Sequence, residues 1–379
     1  MKVLYILKHN PWGVGGGCYA SKSYLYAFLE VFKHAQFTVL ICSEYKKDIP
    51  YGISTNPNIV FIYSPHLNKT KSIIEFLHKS NHRHREIAKE IIKRNEFDYC
   101  IFDHSSLAGS IVDYLPPRTK TIVIHHNCEF QYFKDNNSII RSVILLPIVR
   151  CNEKRAFSKC DYNVFLTKED FESFKEIYGK INEGYVIGGF EFSKIVEPSF
   201  EYQKNKFVIT GSLSNVQNQD GIIWYLEHFH NLVPLTYKVV IAGKSPSSLI
   251  RIKAQKFPNI ELLASPKEMN PIVSDARIYI CPTRLGSGIK IRIKDALRNG
   301  IPVLAHTTSA RGYSDFVKAG LMYTFNDTDS FKKGLDSLLN LSDEQRRKIF
   351  SVFQEHFSFN SGCNKIKTML NLNYDEFFE

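Results

Sequence analysis

Short, continuous apolar runs recur along the chain, separated by stretches in which apolar residues return every three or four positions. The runs lack strict apolar–polar alternation, so they predict strands buried on both faces, with helices between them. In the first half the predicted strands are Lys2 to Leu7, Phe37 to Cys42, Ile59 to Tyr63, Tyr99 to Phe102, Thr121 to Ile124 and Asn163 to Leu166. The first run leads into Pro11-Trp12-Gly13-Val14-Gly15-Gly16-Gly17, and a helical pattern follows with Tyr24, Phe28, Val31 and Phe32 on one face. Strand, glycine loop and helix in that order open a doubly wound α/β domain on a parallel sheet.

The pattern breaks after Tyr185-Val186-Ile187, where Gly188-Gly189 leads into a polar stretch from Glu197 to Lys206. A second series then begins, with predicted strands at Phe207 to Thr210, Lys238 to Ala242, Ile260 to Leu263, Ile278 to Cys281, Pro302 to Ala305 and Leu321 to Tyr323. The expectation is two Rossmann-like domains, 1–190 and 205–360, with a C-terminal helix of about 362–379 packing back on the first. Ligands of such sheets bind outside the carboxyl ends of the strands, so two facing domains would share one interdomain cleft.

Composition removes several classes. The 379 residues are 44% apolar and 23% charged, which excludes disordered and fibrous chains. The longest mostly apolar run, Ile139 to Val149, is 11 residues long and is interrupted by Arg141, Ser142 and Pro147, too short to cross a bilayer. Val3 to Leu7 is too short for the core of a secretion signal, and the expected location is the cytoplasm. The eight cysteines are scattered, without a C-x-x-C pair or a neighbouring His at ligand spacing. Several sit in apolar runs, as Cys100 and Cys281 do, where a reduced thiol behaves as a small core residue; a reducing compartment is expected and a zinc site is not.

The net charge of +11 is local. The stretch His66 to Arg94 holds eight cations and three anions, and Arg284 to Arg298 holds five cations and one anion, so the two carry nine of the eleven excess charges. Neither contains a helix-turn-helix, zinc finger or aromatic RNA-binding pattern, and no nucleic-acid partner is expected. The glycines at 13, 15, 16 and 17 do not fit G-x-G-x-x-G, and no acidic residue clearly ends the second strand near residue 42, which weakens a nicotinamide enzyme.

The segment richest in chemistry is Cys281 to Val303. A strand ends, a small-residue loop turns, and a helix is expected from about Ser287, with Ile289, Ile293 and Ala296 or Leu297 on its buried face and Gly300 as its stop. Free N–H groups at such a start, with Arg284 and Lys290 beside them, suit an anion, above all a diphosphate. Arg292, Lys294 and Arg298 read as a solvated basic face. Asp327-Thr328-Asp329 has metal-motif spacing but precedes a helical pattern at Phe331 to Leu339, so it reads as a helix cap.

Gly286-Ser287-Gly288-Ile289-Lys290, with Asp295-Ala296-Leu297 and Gly300-Ile301-Pro302-Val303, resembles the donor-site motif of retaining GT-B glycosyltransferases of family 4 (glycosyl transferases group 1). His126-Asn127-Cys128-Glu129 is similar to that group's H-N-x-E segment. Gly211-Ser212 with Asn218-Gln219-Asp220-Gly221 is similar to the opening of its second domain, and Gly243-Lys244-Ser245-Pro246 to its G-K-x-P turn. The resemblance runs over about residues 1 to 360 and is strongest from 207 to 313.

It implies a GT-B fold and transfer, with retention, from a nucleotide-diphosphate sugar of UDP or GDP type to a saccharide or lipid-linked saccharide, as in bacterial surface polysaccharide or glycoconjugate synthesis. No metal or other cofactor is implied. Gly211, Ser212, Lys244, Arg284, Gly286, Ser287, Gly288, Ile289, Lys290 and Asp295 would bind the donor, Lys290 on the diphosphate and Asp295 on the ribose. Asp295 replaces the usual Glu, Ser287 stands where the commoner form has a Glu on the donor sugar, and Arg311 stands where the family often has Glu.

In the first domain, Asp103 and His104 end a strand and are candidates for catalysis, either on the acceptor proton or on the backbone alone. Gly15, Gly16, Gly17, His126, Asn127 and Glu129 are expected to line the acceptor side. Retention in this family is ascribed to front-face attack with the departing phosphate as base, so no protein base is required. Ile73, Ile74, Phe76 and Leu77, followed by cations, and Ile139 to Arg155, with Arg150, Lys154 and Arg155, suit peripheral contact with an anionic membrane. Two alternatives remain: a non-catalytic nucleotide- or sugar-binding module, and a GT-B nucleotide-sugar epimerase.

Overall fold

Val3 to Leu7 of the first strand are all buried, with no polar position interleaved, as expected of a parallel strand covered by helices on both faces. The computed structural model describes residues 1–372 except 9, 14, 42–48, 65–81, 137–138 and 180–182. The chain divides into two units, Met1–Phe192 with the chain from Phe359, and Ser193–Ser358.

The first unit holds β1 (Lys2–Leu7), β2 (Gln36–Ile41), β3 (Ile59–Tyr63), β4 (Tyr99–Phe102), β5 (Lys120–His125), β6 (Tyr162–Phe165) and β7 (Gly184–Val186). They form one parallel sheet in the order β3-β2-β1-β4-β5-β6-β7. Strand order reverses between β1 and β4, and a doubly wound sheet binds ligands beyond the carboxyl ends of its strands at such a point. Lys8 follows β1 there, and Asp103 and His104 follow β4. The helices around this edge are α1 (Gly16–Val31), α2 (Ser105–Ile111), α3 (Glu129–Asn136) and α4 (Ile139–Lys159). Leu107, Ala108 and Ile111 of α2 pack with Ala156 and Cys160 in one buried cluster.

The second unit holds β8 (Lys206–Thr210), β9 (Lys238–Gly243), β10 (Ile260–Ala264), β11 (Ile278–Cys281), β12 (Val303–His306) and β13 (Met322–Phe325). Its parallel sheet has the order β10-β9-β8-β11-β12-β13. The reversal lies between β8 and β11, so the loops after Thr210 and Cys281 meet at the ligand-binding edge. Three helices matter here: α5 (Val216–His228), α6 (Ile291–Leu297) and α7 (Thr328–Leu339). Asp327 caps α7, accepting the Ser330 N–H at 2.8 Å while Ser330 reaches back to the Asp327 N–H at 3.2 Å. The last helix, α8 (Phe359–Met369), lies in the first unit, where Lys365 Nζ donates to the Ile187 carbonyl at 3.2 Å.

Several expectations change. The glycine run is not all loop, because Gly15 caps α1 at φ +132° and Gly16 and Gly17 form its first turn. The polar stretch after residue 196 is no loose linker but a strap on the second unit. The Phe200 ring packs edge-on to Phe350, centroids 6.0 Å apart, Tyr202 stacks under Arg346 at 3.9 Å, and the Gln203 N–H donates to the Asp275 carbonyl at 2.7 Å. Its aromatic residues supply the apolar area that its composition hides. The apolar run from Ile139 opens a 21-residue helix that continues through Pro147 to Lys159. Among the described residues no helix is long and apolar enough to cross a membrane.

Candidate functional site

In the second unit the site is built on the loop 282–290. The helix expected from Ser287 starts instead at Ile291, with Lys290 as its N-cap residue. Gly286 and Gly288 hold φ +89° and +74°, a left-handed backbone that cannot open a right-handed helix. At Gly286 a Cβ would also lie 2.3 Å from Gln217 Nε2, so the buried Gln217 side chain would have to move. The glycines therefore let the chain curl tightly under α5.

Lys290 is only 8% exposed, and its Nζ donates to the Ser287 carbonyl at 2.9 Å, so the ammonium sits inside the curl. Tyr313 OH donates to the Lys290 carbonyl at 3.0 Å, and Ser309 Oγ to the Thr283 carbonyl at 2.6 Å. Arg292 reaches back from α6 to the Thr283 hydroxyl. Arg292 and Lys294 are not the solvated face that their charge suggested: Lys294 is fully buried, and the Arg292 guanidinium is turned into the loop. Asp295 is half-exposed on α6, its carboxylate 3.8 Å from Arg298.

The neighbouring loop after β8 is tied to this one by Asn218. Its Nδ2 donates to the Ser212 carbonyl at 3.0 Å, and its Oδ1 accepts from Thr283 Oγ1 at 3.3 Å. Gly211, Ser212 and the 282–290 loop thus form one rim, with Ser212 exposed. Leu213 N donates to the Lys244 carbonyl at 2.9 Å, which brings the exposed Lys244 to the same edge. Arg284 departs from expectation. It forms a two-pronged ion pair with Asp220 at 2.7 and 3.0 Å and lies 5.3 Å over Trp224, so its charge is already matched. Gln217 was not foreseen. It is 7% exposed, its Nε2 is buried without a hydrogen-bond partner, and the sequence marks it only by its place two residues into α5.

In the first unit, polar groups converge beyond β1, β4 and β5. His104 caps α2, its Nδ1 accepting the Ser106 N–H at 3.2 Å. That leaves the ring proton on Nε2, directed at Glu129 Oε1 3.1 Å away. Lys8 Nζ lies 3.0 Å from the same nitrogen. Burial first, then the Lys8 charge, lowers the His104 pKa. Burial works against ionisation of Glu129, yet His104 and Lys8 outweigh it and hold the carboxyl well below the usual carboxylate range. Asn127 Nδ2 donates to Glu129 Oε1 at 2.8 Å.

Asp103 points inward rather than toward solvent. Its carboxylate is fully buried, held by Ser21 of α1 and by His126 Nε2 at 3.0 Å. It can orient His126 but cannot itself reach a ligand. The His126 ring stacks 6.1 Å from that of His104. His125, one residue earlier, faces the opposite way: Nε2 bonds Asn163 at 2.9 Å inside a box of Phe157, Phe165 and Phe174, where burial above all pushes its pKa down to about 3. Gly15, Gly16 and Gly17 are exposed at the start of α1, with no side chain capping its N–H groups.

The basic cluster of the first unit is only partly described. Lys69, Lys71 and Lys79, with Ile73, Ile74, Phe76 and Leu77, lie outside the described residues, as do the end of the second strand at Cys42 and the chain after residue 372. In the helix His82–Arg94, Arg85 and Lys89 pair with Glu86, and Arg94 with Glu90. Arg155 is paired with Asp113, so of the cations proposed on α4 it is Arg150 and Lys154 that stand exposed.

Residues 204–341 match the family Glycosyl transferases group 1. A Klebsiella pneumoniae protein, named an uncharacterized 44.6 kDa protein in the cps region, is 25% identical over 249 residues, which span 60% of this chain and 62% of that protein. Sucrose-phosphate synthase from Thermosynechococcus elongatus superposes with a TM-score of 0.71 at 11% identity, covering 98% of each chain. An S. aureus TarM mutant, solved with Fondaparinux, alpha-GlcNAc-glycerol and UDP, gives 0.68 at 11% identity, covering 98% of this chain and 99% of its own. The α/β fold matches that of GT-B glycosyltransferase structures, and the family match lies within the second unit.

Proposed function

We propose that the protein is a glycosyltransferase that moves a sugar, with retention and without a metal, from a nucleotide-diphosphate donor of UDP or GDP type to a saccharide or lipid-linked saccharide. The observation that carries this reading is the 286–290 curl, two left-handed glycines around an almost buried lysine ammonium at the strand-order reversal. As the bond between sugar C1 and the phosphate oxygen breaks, negative charge grows on the leaving diphosphate. Fixed cations and N–H groups favour that state over the ground state.

The acceptor oxygen bonds to C1 on the same face, and its proton passes to the departing phosphate, so atoms and charge balance without a protein base. His126, its Nε2 on Asp103, keeps Nδ1 as an acceptor for a sugar hydroxyl, while the ring nitrogens of His104 are taken by Ser106 and Glu129. The relative named for a cps region, and the saccharide and UDP ligands of the TarM structure, support a role in bacterial glycoconjugate synthesis. Exposed Arg150 and Lys154 on α4 support peripheral contact with an anionic membrane, at about 1 kcal/mol per cation near the surface.

Thermal shift against UDP, GDP, ADP, dTDP and CMP sugars tests the donor assignment, because a ligand of the native state raises the midpoint. A shift with one nucleotide class, followed by sugar transfer to a saccharide acceptor, supports the reading. No shift with any of them contradicts it. Sedimentation with anionic but not neutral liposomes at low salt supports the membrane contact, and equal sedimentation contradicts it.

A further inference from the structure

The carboxyl ends of β11 and β12 lie side by side, Cys281 registered against Ala305. The loops leaving them are pinned together at two points, Ser309 Oγ on the Thr283 carbonyl and Tyr313 OH on the Lys290 carbonyl. Arg311 lies midway between these two pins, followed by Gly312 at φ +82°. It is therefore carried on a loop that is fixed, at both ends, against the loop that curls around Lys290.

The other cations on these loops are engaged. Arg284 is forked on Asp220, the Lys290 ammonium is on the Ser287 carbonyl, and Arg292 is on the Thr283 hydroxyl. The half-buried Arg311 guanidinium makes no hydrogen bond or ion pair with any described residue. Its charge acts on His306, at the end of β12. There His306 Nδ1 accepts the Thr308 N–H at 3.1 Å. Burial, then Arg284 and Arg311, pushes the His306 pKa down to about 4, so the ring is neutral at pH 7 and carries its one proton on Nε2. The Asp220 carboxylate also acts on His306, but it is forked on Arg284, and the Arg311 guanidinium has no carboxylate of its own among the described residues.

A nucleotide sugar is linear: base, ribose, diphosphate, sugar. β11 is flanked by β8 on one side and β12 on the other, so a diphosphate bound over the loop after β11 would send its two ends toward those strands. An uncharged base has no use for a lone guanidinium, whereas a carboxylate matches its fork. We propose that the donor sugar is acidic, a hexuronic acid, and that Arg311 with His306 Nε2–H binds its carboxylate. This rests on the donor reading given above.

The test is isothermal titration of the full chain with UDP, UDP-glucose and UDP-glucuronate, and with GDP, GDP-mannose and GDP-mannuronate, for the wild type and Arg311→Met. A charge-assisted fork supports a preference of about 10- to 100-fold. The expected result is that the wild type binds the uronate form at least about tenfold tighter than the neutral sugar. Arg311→Met, with unchanged Tm, should lose that preference and keep the affinity for the bare diphosphate. Binding of UDP or GDP with no preference for the uronate overturns this inference alone. Equal weakening of bare diphosphate by Arg311→Met overturns it as well, since Arg311 then serves the phosphates. If neither diphosphate binds, the donor reading falls and this inference with it.

Discussion

The Tyr313 hydroxyl donates to the carbonyl oxygen of Lys290 at 3.0 Å, and both residues are buried. One phenol thus fixes the backbone from which the candidate diphosphate-binding ammonium projects. The loop is therefore positioned from the next strand connection and not by its own sequence alone.

Tyr313→Phe keeps the ring and removes the hydroxyl together with its bond to the Lys290 carbonyl. A buried hydrogen bond lost with its acceptor left in place costs about 1–3 kcal/mol. The expected outcome is a Tm lowered by a few degrees and a nucleotide affinity weakened more than the Tm alone explains, read by calorimetry and titration together.

Gly286→Ala tests the curl. The new methyl group would meet Gln217 Nε2 and would also have to adopt φ +89°. Backbone strain of this kind costs roughly 1–3 kcal/mol. Adding Gln217→Ala should recover the steric part and leave the backbone part, so the double variant should lie between Gly286→Ala and the wild type in denaturant titrations. Full recovery would show that the left-handed backbone costs nothing.

Asp103→Asn leaves the second unit untouched, and nucleotide affinity should not change. Transfer should fall about 10- to 100-fold, the range seen when an outer partner that orients a functional side chain is removed. Rates measured beside titrations separate the two effects.

Glu153 gives a pH dependence. Its carboxyl is buried, accepts the Glu129 N–H at 2.7 Å and the Phe130 N–H at 3.1 Å, and bonds the Tyr178 hydroxyl at 2.6 Å. Burial above all pushes its pKa up to about 8, well above the ordinary value of 4.5. Between these two values the folded chain holds a proton that the unfolded chain has released, so this group's contribution is complete below pH 4.5 and is lost as pH rises through 8. Glu153→Gln should flatten the decline of Tm across that window. An unchanged slope would assign the decline to other groups.

Strand positions were legible because a continuous apolar run such as Ile278–Cys281, buried throughout, has no other use; Ile59–Tyr63, an edge strand with Val60 exposed, also lies where the pattern put it. The glycines and lysine of the candidate donor loop were legible as a group. Their geometry was not, since the start of α6 at Ile291 depends on two positive φ values. Charge misled most. Lys294 is buried, Arg284 is neutralised by Asp220, and Asp103 faces inward, the last two through partners distant in sequence. Gln217 carries no local signal, because its importance comes from a glycine 69 residues away.

Titration of the full chain with UDP and GDP, wild type against Lys290→Met, shows whether the 286–290 curl holds a diphosphate. Methionine keeps most of the buried volume and removes the charge. The expected result is saturable binding of one diphosphate by the wild type and a loss of about 10- to 100-fold in the variant at unchanged Tm, the worth of a charged hydrogen bond. Binding by neither nucleotide, or equal affinity in the variant, would contradict it.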